Sequence, residues 1–340
     1  MNLASPIKNM DDSLNMFAQN TTRTRTEVDT TLQIISYFII GVLALPGNVI
    51  LVYLTFVSKK ISMEGLGLLQ NLAVSDILII FTGVPLTIAN LASNNGIVTD
   101  GKLCQAQGFV LLALFLNSNF NITLVAAHRY LFIVKNSFYK KMNKQRRIHL
   151  VISSTWMTAL LVSIPSVGGW GKQDYNFNRA HCMVVWRHSV SYLAFVQALA
   201  FFLPLLVIGF CYWNILKHVR ASRNRNNTTK WGERRTPFKI SVMISASFFV
   251  SFMPYALLII HEGFLGKPAG EVFSFVAMAS AYSNGICDFF IYSYNNRNFR
   301  KAVKTLFCWT SSRVRPAVAA VRNEGFETEL RTRSVFSIEV

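Results

Sequence analysis

Residues 124–133 read LVAAHRYLFI, which places the pair His128-Arg129 near the end of a long apolar run. That run covers residues 103–133 and exceeds the roughly 20 apolar residues that a helix needs to cross a bilayer core about 30 Å thick. In hydrocarbon a single segment can pair its backbone N–H and C=O groups only as a helix, and the alternating pattern of a barrel strand is absent. We therefore predict a membrane-spanning helix that carries His128, Arg129 and Tyr130 at one end.

Six further apolar runs bring the predicted spanning helices to seven; they cover residues 33–57, 66–92, 149–168, 189–216, 238–262 and 271–294. Hydrophobic residues make up 52% of the chain and charged residues 15%, whereas soluble domains are about 25% charged. The predicted fold class is an all-α membrane protein, a seven-transmembrane-helix bundle over residues 33–294. Residues 1–32 form a tail before it.

A shorter amphipathic pattern follows the bundle at residues 295–308. Phe299, Val303 and Leu306 share one helical face, while basic residues occupy the rest. This pattern predicts a juxtamembrane eighth helix that lies along the membrane surface, in contact with lipid. Cys308 at its end is the expected palmitoylation site, the alternative being an unmodified thiol. Residues 309–340 form the remaining tail, expected on the cytoplasmic side.

The formal net charge of +18 raises the question of nucleic-acid binding, but the positions of the charges favour a membrane. Of the 34 Lys and Arg residues, 26 lie in alternate loops, helix ends and the C-terminal tail; the other eight are Lys8, Arg23, Arg25, Lys102, Lys172, Arg179, Arg187 and Lys267. Basic residues concentrate on the cytoplasmic side of membrane proteins. We therefore predict an extracellular N-terminus in a multi-pass protein, with glycosylation at Asn20 in the sequon Asn-Thr-Thr.

The five cysteines divide by their predicted position. Cys211 and Cys287 lie within predicted helices, where a buried thiol is common, and Cys308 lies on the reducing side of the membrane. Cys104 begins the third helix and Cys182 lies in the loop after the fourth, both on the oxidising side. We predict a disulfide between Cys104 and Cys182 that holds this loop across the outer mouth of the bundle.

Catalytic motifs are absent from the sequence: there is no Walker loop, Gly-x-Ser-x-Gly, Cys-x-x-Cys or His-Glu-x-x-His. We therefore do not expect an enzyme. The chain also lacks the internal repeat that many transporters show, so a transporter is the less favoured alternative.

The order of the landmark residues resembles the rhodopsin-like (class A) family of G-protein-coupled receptors. The resemblance extends from about residue 34 to residue 308, with at least one landmark in each helix: Gly47-Asn48, the stretch from Asn71 to Asp76, Cys104, His128-Arg129-Tyr130, Trp156, Pro204, Tyr212, Phe252, Pro254, Asp288 and Tyr292. The family implies that a ligand shifts a two-state equilibrium. A heterotrimeric G protein then binds at the cytoplasmic end, and the receptor performs no chemistry.

By the same resemblance, coupling and activation involve His128, Arg129, Tyr130, Tyr212, Asp288 and Tyr292. Family members usually have an acid where this chain has His128, and many have another acid at the position of Arg234, which here follows Glu233. The family's Asn-Pro-x-x-Tyr is Asp288-Phe-Phe-Ile-Tyr292, without the proline. We expect raised basal activity because two restraints on Arg129 are altered; the alternatives are that packing or Glu233 replaces them, or that the chain is a decoy or scaffold receptor that does not signal.

Four oxygen-bearing side chains match a sodium pocket of the family: Asp76, Ser118, Asn284 and Asp288. Hard cations prefer such oxygen ligands, and two neighbouring carboxylates in a dry site need a cation or a shared proton. An allosteric sodium ion is therefore expected, with an ion-free network of water as the alternative. Other cofactors are not expected.

The ligand pocket implied by the family positions has a largely apolar lining with a few neutral polar groups; it comprises Gln107, Leu111, Phe115, Gln197, Phe252, Tyr255, Met278 and Tyr282. Amine receptors carry an aspartate where this chain has Leu111. Opsins carry a retinal-binding lysine where this chain has Tyr282, so covalently bound retinal is not expected. The lining predicts a neutral, largely apolar ligand; alternatively the aromatics only pack the bundle, or His261 and Glu262 at the rim bind a peptide.

The C-terminal tail holds several Ser and Thr residues whose phosphorylation would create a site for an arrestin-like partner. Its last four residues, Ser-Ile-Glu-Val, are of a kind that a PDZ domain can bind as an added strand. The expected location is the plasma membrane.

Overall fold

Seven long helices form the bundle in the computed structural model, which describes residues 27–57, 65–93, 101–142, 145–223 and 228–313. In chain order they are α1 (Glu27–Val57), α2 (Leu66–Ala92), α3 (Gly101–Ile133), α4 (Gln145–Ser163), α5 (Val190–Gln197 continued by Leu203–Arg223), α6 (Thr228–Leu265) and α7 (Glu271–Asn295). A short helix, Asn136–Met142, connects α3 to α4. The predicted seven-helix architecture is confirmed, although several helices extend a few residues beyond the apolar runs.

Length and hydropathy alone qualify six of these helices as membrane spans, namely the regions within α1 to α6. The seventh helix, α7, includes the polar residues Asn284 and Asp288, both of which are buried inside the bundle. The outward faces carry exposed apolar side chains instead, such as Phe56, Phe81 and Val250. Apolar residues outside and polar residues inside are the arrangement expected of a bundle surrounded by lipid.

The third helix lies at the centre of the bundle, in contact with α2, α4, α5 and α6. A cluster around Leu72, Ile122, Ile244 and Tyr292 fills the end of the bundle that holds Arg129. Another cluster, around Tyr37, Val84 and Met278, lies toward the opposite end. Both clusters include residues from several helices. Side-chain packing between helices, rather than the loops, therefore positions the functional residues of α3.

Proline and π-helical geometry modify three of the helices that surround these sites. Pro85 lies within α2 and Pro254 within α6, and α5 contains a π-helical turn at Ala198–Phe202, just before Pro204. Proline lacks the N–H that the helix would use, and a π turn changes the backbone pairing of the helix locally. The α5 irregularity matters for the cavity described below, because a side chain of α3 binds its backbone.

A two-stranded antiparallel hairpin connects α4 to α5. Its strands are β1 (Gln173–Asn176) and β2 (His181–Val184), and the register runs from Gln173 opposite Val184 to Asn176 opposite His181. The predicted disulfide is present: Cys104 and Cys182 are bonded, with their Cα atoms 5.2 Å apart. It fastens β2 to the start of α3, and this side of the molecule is called the hairpin end below.

An eighth helix, α8 (Arg297–Arg313), follows α7 after a single residue, Asn296. The Asn296 side chain accepts a hydrogen bond from the backbone N–H of Phe299 at 3.1 Å, and the ring of Phe299 is fully buried against Tyr292. These contacts fix the first turn of α8 against the bundle. The side chain of Cys308 lies outside the described residues, as do Asn20 and residues 314–340.

Candidate functional site

A cavity lies beneath the hairpin, between α3, α5, α6 and α7. It encloses about 790 Å³ of empty space, including the part that opens to solvent. Six of the predicted pocket residues line it: Leu111, Phe115, Gln197, Phe252, Tyr255 and Met278. Most of the lining is apolar, with Phe115 and Phe252 in edge-to-face contact at 5.5 Å.

The other two predicted pocket residues lie beside this cavity. The side-chain oxygen of Gln107 accepts a hydrogen bond from the backbone N–H of Cys182 at 3.4 Å, so this residue holds the hairpin. Tyr282 is fully buried and faces Gly83 of α2, where an added Cβ would overlap the phenol oxygen. Its ring lines a second, smaller cavity deeper in the bundle.

The hairpin supplies lining residues that the family positions did not suggest, including His181, Met183 and Trp186. One sequence signal was present for His181: it directly precedes the cysteine that the disulfide holds against α3. Asn119, one helical turn beyond Phe115, also lines the cavity. Its position within a run of polar residues in the middle of α3 gave no indication of which way its side chain points.

The hairpin packs closely against α3. The Gln173 side chain lies against Gly108, where a Cβ would overlap its amide, and it donates a hydrogen bond to Ser166 Oγ at 2.9 Å. Glycine at position 108 therefore allows the hairpin to approach the helix, and the hairpin covers the cavity at this end.

A buried ion pair joins the hairpin to α6. Arg179 Nη2 lies 2.5 Å from Glu262 Oε2, and the Arg179 side chain is only 1% exposed. Glu262 also accepts a hydrogen bond from the backbone N–H of Ala269 at 3.2 Å, while the amide of Asn178 donates to the carbonyl of Ala269 at 2.8 Å. The Glu262 carboxylate, predicted as an alternative peptide contact, is thus engaged within the protein.

The imidazole of His181 lies in the roof of the cavity. Its Nδ1 is 2.9 Å from the carbonyl oxygen of Arg179. Burial lowers the pKa of His181 from 6.5 to about 4, and the charge of Arg179 acts in the same direction. The ring is therefore neutral at physiological pH, and because a carbonyl can only accept, Nδ1 carries the proton.

A cluster of buried polar groups lies in the middle of the bundle. Asp76 and Asp288 are 3% and 4% exposed, and the amide nitrogen of Asn284 donates to Asp288 Oδ2 at 3.3 Å. The smaller cavity is lined by Asp76, Ser118 and Asn284 among others. The structure thus brings the predicted sodium ligands together. Four oxygen atoms lack a hydrogen-bond partner among the described residues: Asp76 Oδ2, Ser118 Oγ, Asn284 Oδ1 and Asp288 Oδ1.

A hydrogen-bonded network connects α3, α5 and α6 at the end opposite the hairpin. Arg129, which is 2% exposed, donates from Nε to Ser241 Oγ at 2.9 Å. The hydroxyl of Tyr212 donates to the carbonyl of Ser241 at 2.8 Å and lies 2.9 Å from Ser245 Oγ. Arg129 and Tyr212 were predicted to act together; Ser241, which connects them, was not predicted, because a lone serine in an apolar helix carries no distinctive signal.

The remaining predicted coupling residues surround this network. Tyr292 is fully buried, and its hydroxyl accepts a hydrogen bond from Asn296 at 3.1 Å. Tyr130 contacts Phe210 of α5, with the ring centroids 5.8 Å apart. His128 packs edge-on against Tyr139 of the short helix at 5.2 Å.

Two glycines accommodate bulky residues where the chain departs from the family pattern. The ring of His128 lies against Gly65, whose φ of 79° is one that glycine adopts readily. Phe289, which replaces the family's proline, packs on Gly47 of α1, where a Cβ would come within 2.7 Å of the ring. The helix α7 is continuous through this position.

Fold and sites together define a multi-pass membrane protein with a lidded apolar cavity at one end and a buried arginine network at the other. The sequence profile of the family described as "7 transmembrane receptor (rhodopsin family)" matches residues 47–292. The chain therefore belongs to the rhodopsin-like family of G-protein-coupled receptors, whose members are receptors rather than enzymes.

Individual relatives support this assignment. The chain is 28% identical to "Rhodopsin, GQ-coupled" of Mizuhopecten yessoensis over 297 residues, which are 79% of this chain and 59% of the relative. It is 26% identical to a rhodopsin of Sargocentron punctatissimum over 286 residues, 80% of each chain. The crystal structure of squid rhodopsin shares the fold, with a TM-score of 0.75 and 23% identity over 90% of this chain and 93% of that chain.

Proposed function

We propose that this receptor transmits the binding of an extracellular, neutral and largely apolar ligand to heterotrimeric G proteins. The observation that carries the proposal is the cavity beneath the hairpin, whose described lining includes no Asp, Glu, Lys or Arg side chain. Mostly apolar cavities with a few polar groups are the usual binding sites for small molecules. In this proposal the receptor lies in the plasma membrane with its N-terminus and the hairpin outside.

The charges nearest to the cavity support a neutral ligand. Arg179 and Glu262 neutralise each other, and His181 is uncharged because burial lowers its pKa to about 4. Leu111 occupies the position where an amine receptor has its carboxylate. An ionic ligand would therefore lose its hydration in this cavity without gaining a partner of opposite charge, which is costly.

The arginine network supports G-protein coupling at the opposite end. Arg129, Tyr212 and Tyr292 belong to three different helices and lie at the same end of the bundle. An outward movement of α6 would break the bond between Arg129 and Ser241. That movement would let the guanidinium contact the G protein, so the bond between Arg129 and Ser241 connects the receptor's conformation to its partner site.

Raised basal activity is the second part of the proposal. Arg129 donates a hydrogen bond to the Ser241 hydroxyl of α6, which carries no negative charge, and hydrogen bonds between two ionised groups are stronger than those to a neutral partner. His128 stands where most family members have an acid, and it packs on Tyr139. A weaker restraint on Arg129 would leave more of the receptor in its signalling state without ligand.

Two proposals concern bound groups. A sodium ion would be held by Asp76, Ser118, Asn284 and Asp288, each of which presents an oxygen without a hydrogen-bond partner in the described part of the chain. Sodium would supply positive charge to the two carboxylates and favour the resting state. Covalently bound retinal is not part of the proposed function. A Schiff base needs an amine, and α7 contains no lysine.

The remaining proposed features lie outside the described residues. They are glycosylation at Asn20, palmitoylation at Cys308, an arrestin-like partner at the phosphorylated tail and a PDZ partner at the last four residues. The side chains of Glu233 and Arg234 also lie outside the described part.

A ligand screen in cells that contain a promiscuous G protein tests the proposal. Libraries of neutral apolar, cationic and anionic compounds are compared on the wild type and on Ala256→Phe, which adds a ring inside the cavity. The matched control is Leu257→Phe, at the neighbouring position, which is 54% exposed. Active compounds should be neutral, and Ala256→Phe should abolish their effect at equal surface expression. Only charged or peptide activators, or activity that Ala256→Phe does not change, would contradict the proposal.

A further inference from the structure

Two buried polar atoms in the lining of the apolar cavity, Asn119 Oδ1 and Gln197 Nε2, have no hydrogen-bond partner among the described residues. Asn119, His181 and Gln197 all line it and are 8%, 2% and 6% exposed. Leaving a buried polar atom without a hydrogen bond costs about 1–3 kcal/mol. Whether each of these atoms is a donor or an acceptor therefore indicates which hydrogen-bonding groups a ligand must carry.

Asn119 presents an acceptor at the deep end of the cavity. Its amide nitrogen donates to the carbonyl of Ala200, in the π-helical turn of α5. Because that carbonyl can only accept, the orientation of the amide is fixed. The amide oxygen, Oδ1, has no hydrogen-bond partner among the described residues.

His181 presents a second acceptor at the roof. Its Nδ1 carries the proton that is donated to Arg179, so Nε2 of the neutral ring has only a lone pair. The ring faces Tyr282 of α7 at 6.5 Å. A ligand below the hairpin can therefore donate a hydrogen bond to Nε2.

The two acceptors lie far apart along the bundle. The residue after His181, Cys182, bonds through its N–H to Gln107 of α3, which places His181 near the level of Gln107. The backbone of Asn119 lies 12 residues farther along the same helix, a rise of about 18 Å at 1.5 Å per residue. The His181 ring covers part of that span, because its centroid lies 6.5 Å from that of Tyr282. A ligand that reaches both acceptors must be elongated.

We propose that the ligand is an elongated, uncharged molecule with an apolar body and a hydroxyl or N–H donor at each end, one bound by His181 Nε2 and the other by Asn119 Oδ1. The apolar body lies against Leu111, Phe115 and Phe252. Gln197 lies on α5 between the two ends. Its Nε2, which has no partner among the residues that the structure describes, donates a hydrogen bond to an acceptor on the ligand. This inference takes only the location of the binding site from the proposed function.

The test uses simple chain compounds as probes and full-length receptor in nanodiscs. Dodecanediol with a hydroxyl at each end is compared with dodecanol, which has one, and with the dimethyl ether of the diol, which has no donor. Octanediol and hexadecanediol test the length. Dissociation constants come from the dose dependence of the thermal unfolding midpoint and are expressed as bilayer concentrations, which corrects for partitioning.

Each lost hydrogen bond should weaken binding about fivefold, since a neutral one contributes about 1 kcal/mol and 1.4 kcal/mol is tenfold. The terminal diol of matching length should therefore bind about fivefold tighter than the alcohol and about 25-fold tighter than the ether. His181→Phe should reduce the diol to the affinity of the alcohol. The control Asn214→Leu, at a half-buried asparagine of α5 that bonds locally to the carbonyl of Phe210, should change nothing.

Equal affinities for the diol, the alcohol and the ether on the wild type would overturn the inference and would mean that water alone satisfies the two acceptors. An affinity difference that His181→Phe leaves intact would overturn the assignment to that residue. Since binding is measured without a G protein, a receptor that binds the diol as described but fails to activate G proteins would contradict the proposed function and leave this inference standing.

Discussion

Arg129 of α3 and Ser241 of α6 are joined by a hydrogen bond of 2.9 Å from Nε to Oγ. Ser241 Oγ lies 3.0 Å from the carbonyl of Pro237, one turn away, and the Ser241 carbonyl accepts from Tyr212. One serine thus connects α6 to both α3 and α5 at the end where the G protein is proposed to bind. In the proposed function this contact restrains the resting state.

Replacing Ser241 by alanine should raise basal nucleotide exchange. Loss of a hydrogen bond worth about 1 kcal/mol shifts a two-state equilibrium about fivefold. The measurement is ligand-free GTP analogue binding in membranes with matched receptor amounts. The control is Ser247→Ala, on the same helix, whose hydroxyl bonds only locally to the carbonyl of Ile244. A fall in basal exchange with Ser241→Ala would show that the contact belongs to the signalling state.

His128→Asp should lower basal exchange, because it restores a negative charge next to Arg129 at the position where family members usually have one. The same assay measures the effect, and His149→Asp introduces an aspartate at an exposed histidine of α4 as the control. If basal exchange in His128→Asp stays at the wild-type level, the missing acid at position 128 does not weaken the restraint on Arg129.

Glu262→Gln should destabilise the hairpin end. Removal of one partner leaves Arg179 buried without its counter-charge, which costs about 3 kcal/mol or more, and the thermal unfolding midpoint of purified receptor should fall. Asp174→Asn, in the exposed pair with Lys172 at 3.1 Å, should have little effect because exposed pairs contribute about 0–1 kcal/mol. The double substitution Arg179→Met with Glu262→Leu should recover stability; if it is as unstable as Glu262→Gln, charge is not the cause.

Stability should fall between pH 6.5 and pH 4 in a way that depends on His181. The unfolded chain takes up a proton near pH 6.5, whereas the folded ring does so only near its pKa of about 4. The unfolded state therefore binds more protons in this window, and stability decreases as the pH falls, by up to about 3 kcal/mol. The groups that face the ring are Arg179, paired with Glu262, and Tyr282. His181→Phe should flatten the pH dependence of the unfolding midpoint; an unchanged slope would contradict the assignment.

Sodium should stabilise the receptor against thermal unfolding relative to choline chloride at equal ionic strength, because it supplies charge to Asp76 and Asp288. Asp76→Asn should remove most of this difference. If wild type and Asp76→Asn respond equally to sodium, the polar cluster holds water rather than the ion.

The sequence predicted the bundle well because membrane spans are set by length and hydropathy, which are local properties. The disulfide followed from the side of the membrane on which Cys104 and Cys182 fall, and family landmarks located six of the eight predicted pocket residues in the cavity. The positions of these six residues around their helices follow from the helical period, which can be counted along a single sequence.

Contacts between distant segments were not predictable in the same way. Ser241 meets Arg129 across 112 positions of the chain, and Arg179 meets Glu262 only because the hairpin folds over the cavity. Tyr282 lies at the position of a pocket residue, yet Gly83 of α2 makes room for its ring beside the cavity. Such details depend on packing between helices, for which a single sequence offers no periodic signal.

Coupling through Arg129 is measured by ligand-free nucleotide exchange on purified G proteins, with wild-type receptor and Arg129→Ala compared in nanodiscs. Arg187→Ala, at the hairpin end, serves as the control for surface arginines. Exchange should be measurable with the wild type and with Arg187→Ala, and most of it should be lost with Arg129→Ala at equal amounts of folded receptor. Exchange equal to that of empty nanodiscs with every G-protein class, or exchange that Arg129→Ala leaves unchanged, would contradict it.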